Sequence, residues 1–225
     1  MNILHLVPDF WPNTGGMESF VAALVRYGRT VGLQGRVLTM NRTAQHRRPL
    51  PPRETIGGIE IRRLPFVDLN YYKPLALPVD ELRAADVLHV HGLGAMLDAA
   101  VALRPLHDRP IVLSTHGGIF HTERLAHVKQ LYFRLERALV LPRVDRIVAS
   151  SKSDLERFGG ADGRTMLIEN GVDLTPFRAA NAGGDESARR QGLLLFVGRH
   201  SSNKRLDRLL RAFAAARAEI GRAHV

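Results

Sequence analysis

Residues 2–31, NILHLVPDFWPNTGGMESFVAALVRYGRTV, contain the pattern that decides the fold. They begin with a short apolar run, Asn2 to Val7, which is typical of a buried strand. A loop with prolines and the glycine pair Gly15–Gly16 follows. Apolar residues then recur at helical spacing from Phe20 to Val31, opposite charged residues. Strand, glycine loop and helix in this order predict the first unit of a parallel α/β sheet.

Further short apolar runs repeat this alternation of strand and helix. The predicted strands are Arg36 to Met40, Gly58 to Leu64, Val87 to Val90, Ile111 to Ser114, Arg146 to Ala149 and Met166 to Ile168. Helical spacing marks Leu125 to Leu139, and a shorter helix is predicted at Lys152 to Phe158. The proline-rich stretch that holds Arg47 and Arg48 predicts an exposed loop. The fold class is therefore α/β, with a Rossmann-like, doubly wound parallel sheet.

A loss of apolar periodicity separates this sheet from the end of the chain. Residues 179–191 are rich in alanine, glycine and charge, and they predict an interdomain linker. After the linker, Leu193 to Val197 predicts a strand and Leu206 to Phe213 a helix. We therefore predict a complete domain over 1–178 and the first strand-helix unit of a second Rossmann-like domain over 192–225.

One strand and one helix do not complete a doubly wound domain, so we expect the natural protein to continue beyond Val225. The last residues, Glu219 to Val225, match the translation of a common sequencing-adapter oligonucleotide, and we interpret them as foreign sequence. A frayed helix end is the alternative interpretation. We expect the activity to belong to the longer protein and the truncated chain by itself to be inactive.

Composition and charge narrow the class of protein. Lysine and arginine number 32 against 22 aspartate and glutamate, a net charge of +10, which favours phosphates, nucleic acid or an anionic membrane face as partners. The basic residues are spread along the chain, without a zinc finger or an RNA-binding aromatic strand, so we predict no nucleic-acid partner. Because the sequence has no cysteine, disulfides and thiolate metal sites are excluded.

The hydropathy of the sequence predicts the location of the protein in the cell. No apolar run approaches the ~20 residues that span a bilayer, and the first residues lack the pattern of a signal peptide. We therefore expect a cytoplasmic location, with peripheral contact at the inner face of the membrane as an option.

Two motifs lie where predicted strands end, at the edge on which open α/β sheets bind ligands. The pair Gly15–Gly16 precedes a helix, whose amino terminus suits an anion such as a diphosphate. The run Thr115 to His121 combines histidines with two glycines, and His116 can reach a substrate hydroxyl from this position. His89 and His91 approach the same rim, where bonds to neighbouring loops are the simpler explanation.

Three polar segments follow later strands. Residues 149–154, ASSKSD, hold good helix-capping residues, and residues 169–173, ENGVD, predict a tight turn. The third segment, Phe196 to Arg205, carries Arg199 and Lys204 into a helix. An arginine fork and a lysine charge near a helix start can clamp a diphosphate leaving group, and a solvated basic loop is the alternative.

Taken in this order, the motifs resemble the retaining glycosyltransferases of the GT-B fold known as family four. The resemblance covers the chain up to about Ala218. It rests on the glycine pair, on the strand-end His116, on the turn at Asn170 to Asp173, and on the segment Gly198 to Lys204.

A finer resemblance is carried by the run Thr115 to Thr122, together with Asp9 to Met17 and Asn203–Lys204. These residues look most like the bacterial α-mannosyltransferases of exopolysaccharide assembly. Those enzymes use GDP-mannose to extend an oligosaccharide linked to polyprenyl diphosphate.

The resemblance implies a reaction and a role for particular residues. The reaction is a retaining transfer of mannose from GDP-mannose to a lipid-linked or other glycan acceptor in polysaccharide biosynthesis, without metal or other cofactor. Arg199 and Lys204 would hold the donor diphosphate, and Gly15–Gly16 would approach the phosphates and the sugar. His116 would contact the sugar near its anomeric centre as the catalytic residue. Further contacts with the acceptor or the sugar fall to Gly117, Gly118, His121 and Ser151.

Two other functions stay open from the residues. One is another sugar-nucleotide enzyme, such as an epimerase. The other is a basic module that binds phosphate groups or nucleic acid. Salt-sensitive binding to duplex DNA, independent of any nucleotide sugar, would support the module. Sugar transfer by the complete protein would exclude it.

Overall fold

Eight strands in the described part of the chain form one sheet. The computed structural model describes residues 1–43, 46, 48–117, 126–159, 163–171, 174, 195–198 and 204–223. The strands are β1 (Asn2–Val7), β2 (Gln34–Met40), β3 (Arg53–Ile56), β4 (Ile59–Leu64), β5 (Val87–His91), β6 (Ile111–Ser114), β7 (Arg146–Ala149) and β8 (Thr165–Leu167). Their order is β3-β4-β2-β1-β5-β6-β7-β8, and every neighbouring pair is parallel except β3 with β4.

Helices connect the strands and give the doubly wound arrangement that the sequence predicts. They are α1 (Gly16–Thr30), α2 (Val79–Arg83), α3 (Ala95–Ala102), α4 (Arg104–His107), α5 (Ala126–Leu135), α6 (Lys152–Phe158) and α7 (Leu206–Ala223). A π-helical turn at Glu136–Val140 and a 3-10 turn at Leu141–Arg143 continue α5. Among the described residues, none of the helices has both the length and the apolar composition that crossing a bilayer requires.

The chain divides into two units, Met1–Val172 and Asp173–Val225. The first unit contains the whole sheet. In the second unit, α7 begins at Leu206, where the sequence predicts a helix, and continues to Ala223. The predicted linker 179–191 lies outside the described residues.

The strand predicted at Leu193 to Val197 falls only partly on described residues. Residues 195–197 are not in a strand, and their side chains are open, with Leu195 77% and Val197 84% exposed. An apolar run becomes a strand only where another backbone pairs with its amide and carbonyl groups. Within the described residues, no such partner lies beside it.

The strands predicted for the first unit are confirmed to within two residues at each end. The structure also contains β3, which the sequence does not predict. It lies in the stretch that the sequence predicts as an exposed loop. Gly57 and Gly58, with φ of 54° and 78°, form the turn of a hairpin that pairs β3 antiparallel with β4. Two alternating runs joined by Gly-Gly are the sequence signal of such a hairpin, and the charges of Arg53 and Glu54 conceal it.

Apolar side chains cover both faces of the central strands. Along β1, Leu4 and Leu6 point into one cluster with residues of α3, while Val7 points into a second cluster beneath α1. Parallel strands with both faces covered carry little polar character. His5 is therefore an exception, because it is 2% exposed on the same face of β1 as Val7.

The apolar row of α5 faces outward, although its spacing alone would suit a core helix. Val128, Leu131, Leu135 and Leu139 are 59%, 59%, 51% and 56% exposed. Opposite this row, Phe133 is buried in the core. The loop after β4 lies beside α5, since the rings of Tyr72 and Tyr132 are 6.3 Å apart. The same loop exposes Val67, Leu69 and Tyr71.

An acidic pair, the buried Glu136 and the half-buried Asp98, lies where α5 changes to the π-helical turn. Glu136 is 2% exposed, and the hydroxyls of Tyr72 and Tyr132 donate to Asp98 Oδ2 at 2.7 and 3.1 Å. Within the described residues, Glu136 Oε2 and Asp98 Oδ1 have no hydrogen-bond partner. Burial, followed by the contact with Asp98, raises the pKa of Glu136 to about 8. Glu136 is therefore protonated at neutral pH.

Replacing Glu136 by glutamine tests this assignment. The pKa of Glu136 in the folded chain, about 8, exceeds its ordinary value of 4.5, so the native chain loses stability as the pH rises from about 4.5 to about 8. Glutamine keeps the shape and a donor without a titrating proton. We expect Glu136→Gln to be more stable than the native chain at pH 8, by on the order of 1–2 kcal/mol, with the advantage vanishing near pH 4. Urea unfolding at several pH values measures the difference.

Glu156→Gln, an exposed change on α6, is the control and should show no such trend. A Glu136→Gln advantage that is equal at all pH values would contradict a buried titrating carboxyl.

Candidate active site

Four loops meet at the carboxyl edge of the sheet, following β1, β5, β6 and β7. The backbone fixes them where they leave the strands. The Gly92 N–H donates to the carbonyl of Ser114 at 2.8 Å, and the Thr115 N–H donates to the carbonyl of Val148 at 3.0 Å. The loops of neighbouring strands are thereby held side by side at the edge where such folds bind ligands.

The loop after β6 adopts an unusual backbone conformation. His116 has a φ of 47°, and Gly117 follows with a φ of 82°. A residue with a side chain is uncommon in this left-handed region and persists there when its surroundings fix it. Gly117 suits the position because it has no Cβ. The turn directs the His116 side chain back over the sheet, where its ring centre lies 5.2 Å from that of Phe20 and the two ring planes are nearly perpendicular, at 71°.

Asp154 fixes this loop from α6. A single oxygen, Oδ2, accepts hydrogen bonds from Thr115 Oγ1 at 2.6 Å, Ser150 Oγ at 2.8 Å and the Gly117 N–H at 3.0 Å. Burial alone would raise the pKa of Asp154, but the three hydrogen bonds outweigh it and hold the pKa below its ordinary value. The ionised carboxylate thus ties the loops after β6 and β7 together.

Behind His116, three imidazoles are joined by hydrogen bonds. His116 Nε2 lies 3.0 Å from His91 Nδ1, and His91 Nε2 lies 3.1 Å from His5 Nδ1. We call these three residues the imidazole chain. His89 is beside it, with its ring centre 4.2 Å from that of His91 and its Nε2 2.8 Å from Ser114 Oγ. Of the predicted bonds to neighbouring loops, the structure has the one from His91 to His116, whereas Ser114 and His5 lie in strands.

The histidines of this cluster are neutral at pH 7. Burial lowers the pKa of His5 to about 4, and burial, with repulsion from His5 and His116, lowers that of His89 to about 3. Burial also lowers the pKa of His91 and of His116, and for His116 the nearby Asp154 opposes the shift. A neutral His116 can donate or accept a hydrogen bond to a hydroxyl without carrying charge.

The same histidines could be considered as metal ligands. One nitrogen each of His5, His89 and His91 lies within 4.8 Å of the others, and neutral imidazole is the form that binds zinc. In the structure, however, His5 and His91 point their nitrogens at each other, and His89 points its Nε2 at Ser114. The rings of His89 and His91 are tilted by 33° to each other, with their centres 4.2 Å apart. That the protein uses no metal stays a prediction.

The glycine pair after β1 has two different environments. A Cβ on Gly15 would lie 2.5 Å from Glu18 Oε2, whereas a Cβ on Gly16 would meet no atom within 4 Å. Asn13 Nδ2 donates to Glu18 Oε1 at 3.3 Å, and Glu18 is only 8% exposed. Gly15 thus leaves space for a buried carboxylate in the first turn of α1, while nothing in the described part of the fold requires a glycine at Gly16.

The remaining predicted site residues are distributed as follows. Ser151 caps α6, because its Oγ accepts a hydrogen bond from the Asp154 N–H at 3.2 Å. Lys204 is exposed and belongs to the second unit. The predictions for Gly118, His121 and Arg199 lie outside the described residues.

Sequence patterns do not reveal the roles of three residues at this edge. His5 lies within an apolar run that predicts only a strand, Glu18 has the spacing of a solvent face, and Asp154 has that of a helix cap. The available signals are a polar residue in a central strand and an acidic residue in the third helical position after a possible cap.

The family comparison matches most of the first unit. A model of the family described as Glycosyltransferase Family 4 matches residues 14–176. That range includes the loop of His116 and the helix of Asp154.

Two curated relatives are similar along nearly the whole chain. A GDP-mannose:cellobiosyl-diphosphopolyprenol alpha-mannosyltransferase of Xanthomonas oryzae pv. oryzae is 35% identical over 96% of this chain and 57% of its own length. The enzyme of the same name from Komagataeibacter xylinus is 34% identical over 97% of this chain and 55% of its own length. The chain thus spans little more than half the length of these relatives.

A solved structure shares the fold. The sucrose-phosphate synthase of Thermosynechococcus elongatus matches with a TM-score of 0.51 and 15% identity, over 77% of this chain and 49% of that one. At this identity the likeness concerns the fold, and it agrees with the GT-B type predicted from the sequence.

Replacing Asp154 by asparagine tests its hold on the loops. The amide keeps the shape but loses the charge that favours three donors, so we expect a loss of about 1–3 kcal/mol in unfolding free energy at pH 7. Because the folded-state pKa of Asp154 is depressed, its contribution is present above the ordinary pKa of 3.8 and is lost as the pH falls through the folded value. Denaturant unfolding at pH 7 and pH 3 measures both effects.

The control is Ser151→Ala, which removes the cap of the same helix and should cost about 1 kcal/mol with little change between the two pH values. An Asp154→Asn effect that persists undiminished at the lowest pH would contradict an ionised carboxylate in this role.

Proposed function

The chain belongs to glycosyltransferase family 4, and we propose that the complete protein transfers mannose from GDP-mannose, with retention, to a glycan linked to polyprenyl diphosphate. The observation that carries the proposal is the similarity of about a third of the residues to two such enzymes over nearly the whole chain. The proposed acceptor class follows from the printed names of those relatives.

The geometry of the first unit supports a sugar-binding role for His116. Its imidazole is neutral, its backbone is fixed by the neighbouring Gly117 and Asp154, and it lies at the edge where four loops meet. A neutral, well-oriented imidazole suits a hydrogen bond to a sugar hydroxyl near the reacting carbon. We infer that Gly117 contributes through its fixed loop backbone.

The two glycines after β1 take separate roles in this proposal. Gly15 provides the space for the Glu18 carboxylate, so we assign the approach of the donor phosphates to Gly16, above which the structure is open. The amino terminus of α1 favours an anion there. A carboxylate beside Gly15 would repel a second anion, which also favours Gly16 as the point of closest approach.

The leaving group is the nucleoside diphosphate, and its departure needs positive charge. We propose that Lys204 and Arg199 supply it, as the family resemblance implies. Stabilising the charge that develops on the diphosphate is the main catalytic effect available to such a site. No metal or other cofactor takes part in the proposed scheme.

The outer surface of α5 also suits an acceptor that is linked to a membrane lipid. The exposed row Val128, Leu131, Leu135 and Leu139 is flanked by the exposed Arg134 and Arg137. Apolar residues beside basic residues suit the interface of an anionic membrane. We therefore propose peripheral contact through α5, at the cytoplasmic face where the sequence predicts the protein to act.

Transfer by the complete protein tests the function, and Gly16→Ala tests the site. We expect labelled mannose from GDP-mannose to reach a polyprenyl-diphosphate-linked disaccharide. We expect Gly16→Ala to lower transfer by on the order of tenfold or more, because the methyl group occupies the space of the donor. Its unfolding free energy should be unchanged or higher by up to about 1 kcal/mol, since alanine favours a helix.

Ser19→Ala, a similar small change on the exposed side of α1, is the control: it should leave transfer unchanged and, like Gly16→Ala, leave the unfolding free energy unchanged or slightly higher. Full transfer by Gly16→Ala would exclude the assigned donor approach, and labelled product from a different nucleotide sugar alone would exclude GDP-mannose.

Membrane contact can be measured on the chain itself by co-sedimentation with vesicles. We expect binding to vesicles with anionic lipid and a decrease of about tenfold for Leu131→Ser/Leu135→Ser, because two exposed apolar side chains are removed from the interface. The matched control is Leu106→Ser, which changes a leucine that is 50% exposed on α4. Equal losses for the two variants would show that α5 is not the contact.

A further inference from the structure

The imidazole chain of His5, His91 and His116 runs from the interior of the sheet to its carboxyl edge. The register places His5 of β1 directly beside His89 of β5, and His91 lies two residues further along the same strand. All are on the face covered by α1. His5 is 2% and His91 0% exposed. The two contacts of the chain, at 3.1 and 3.0 Å, are within hydrogen-bonding distance.

Each contact in this chain joins two ring nitrogens, so each needs one N–H and one lone pair. A neutral histidine has a single ring N–H, on either Nδ1 or Nε2. Since burial lowers the pKa values of His5, His91 and His116, all three residues of the imidazole chain are neutral at pH 7. The number of ring protons is therefore fixed at one per residue.

This proton count leaves only two arrangements. If His91 carries its proton on Nδ1, it donates to His116 Nε2, and His5 must donate from Nδ1 to His91 Nε2. All three residues are then Nδ1–H tautomers. If His91 carries its proton on Nε2, it donates to His5 Nδ1 and accepts from His116 Nε2, and all three are Nε2–H tautomers. Any mixed state opposes two N–H groups or two lone pairs.

The ends of the chain lie in different surroundings. Among the described residues, neither His116 Nδ1 nor His5 Nε2 has a hydrogen-bond partner. His5 and His89 line a cavity of about 250 Å³ beneath α1, whose other walls include Tyr27 and Val31. The rest of its lining is mainly apolar, with Ile3, Leu24 and Leu33 among its walls. At the other end, His116 Nδ1 is the ring nitrogen that remains for a ligand.

We propose that His91 is a positioning residue for His116, and that the imidazole chain changes tautomer only as a unit. His91 occupies the Nε2 of His116, orients its ring and leaves Nδ1 for the ligand. Whether Nδ1 donates or accepts is then coupled to the proton position on His5. The inference rests on the proposed function only in taking the ligand of His116 to be the transferred sugar.

The change between arrangements conserves charge and protons. When His116 Nδ1 gives a proton to a ligand oxygen, His91 Nδ1 passes its proton to His116 Nε2, and His5 Nδ1 passes its proton to His91 Nε2. His5 Nε2 takes up one proton from solvent, so the net change is one proton moved from solvent to the ligand oxygen. Three ring N–H bonds break and three form, and no ring has to turn. His116 can therefore serve a hydroxyl as donor or acceptor in one fixed orientation.

Other ionisable groups near the imidazole chain do not alter the count of one ring proton per histidine. His89 is neutral as well and bonds to Ser114 Oγ through Nε2. Asp154 is the carboxylate that acts on His116, and its Oδ2 is occupied by Thr115, Ser150 and Gly117. Phe20, from α1, is uncharged and packs its ring at 71° to that of His116.

Nitrogen NMR of this chain with ¹⁵N-labelled histidine, at pH 7, tests the coupling without any requirement for activity. His107 gives an internal reference, because its Nε2 lies 2.9 Å from the Ala100 carbonyl and its Nδ1 accepts from the Arg109 N–H, so it must be an Nε2–H tautomer. We expect His5, His91 and His116 to show one common tautomer, or the same ratio of the two. A different tautomer in any one of them would overturn the proposal.

Two isomeric substitutions test the positioning role. An asparagine amide reaches the place of Nδ1, and a glutamine amide reaches that of Nε2. His91→Asn therefore keeps a partner for His116 and loses His5, whereas His91→Gln keeps His5 and loses His116. In the complete protein we expect kcat to be lower in His91→Gln than in His91→Asn by about tenfold, with KM for the donor changed much less.

An unchanged His107 signal shows that each variant is folded. Equal kcat values in two folded variants would overturn the positioning role, and if neither variant folds, the tautomers of the native chain still decide the coupling. A complete protein that transfers no mannose refutes the proposed function and leaves the NMR result standing.

Discussion

Burial on both faces is the constraint on which the arrangement of this sheet depends. A parallel sheet covered by helices shields its central strands from bulk water, so a polar side chain there is stable when it bonds to protein. His5 and His91 meet that requirement through each other. Asp154, which is buried on α6, bonds in the same way to the loop after β6. The polar groups of the candidate site are thus ordered by the same packing that stabilises the fold.

Periodicity predicts most of the fold because buried strands and helices differ in the spacing of their apolar residues. The prediction fails where apolar residues with the spacing of a buried face are exposed, or where charged residues pair in the sheet. The row at Leu131 and Leu135 has the spacing of a core face and is exposed, while β3 has charged residues and still pairs in the sheet. Contacts between distant segments determine both outcomes, and a single sequence does not display them.

The site is predictable to a similar extent. The strand-end position of His116 indicates a role from the sequence alone, since the carboxyl edge of such sheets binds ligands. The residues that orient His116 and fix its loop are not predictable from the sequence. His5 is 86 residues from His91, and Asp154 is 37 residues from Gly117. The glycine pair illustrates the same limit: only the position of Glu18 separates Gly15, which accommodates a neighbour, from Gly16, which faces open space.

The hairpin of β3 and β4 has a consequence for how the sheet can grow. β3 runs against the direction of every other strand and carries Arg53 and Glu54 at the margin. Parallel layers extend by adding a strand and its crossover helix to a free edge, and a short charged strand of opposite direction is a poor template for that addition. On this side the hairpin acts as a terminus of the architecture, which limits both insertion of further units and pairing with another chain.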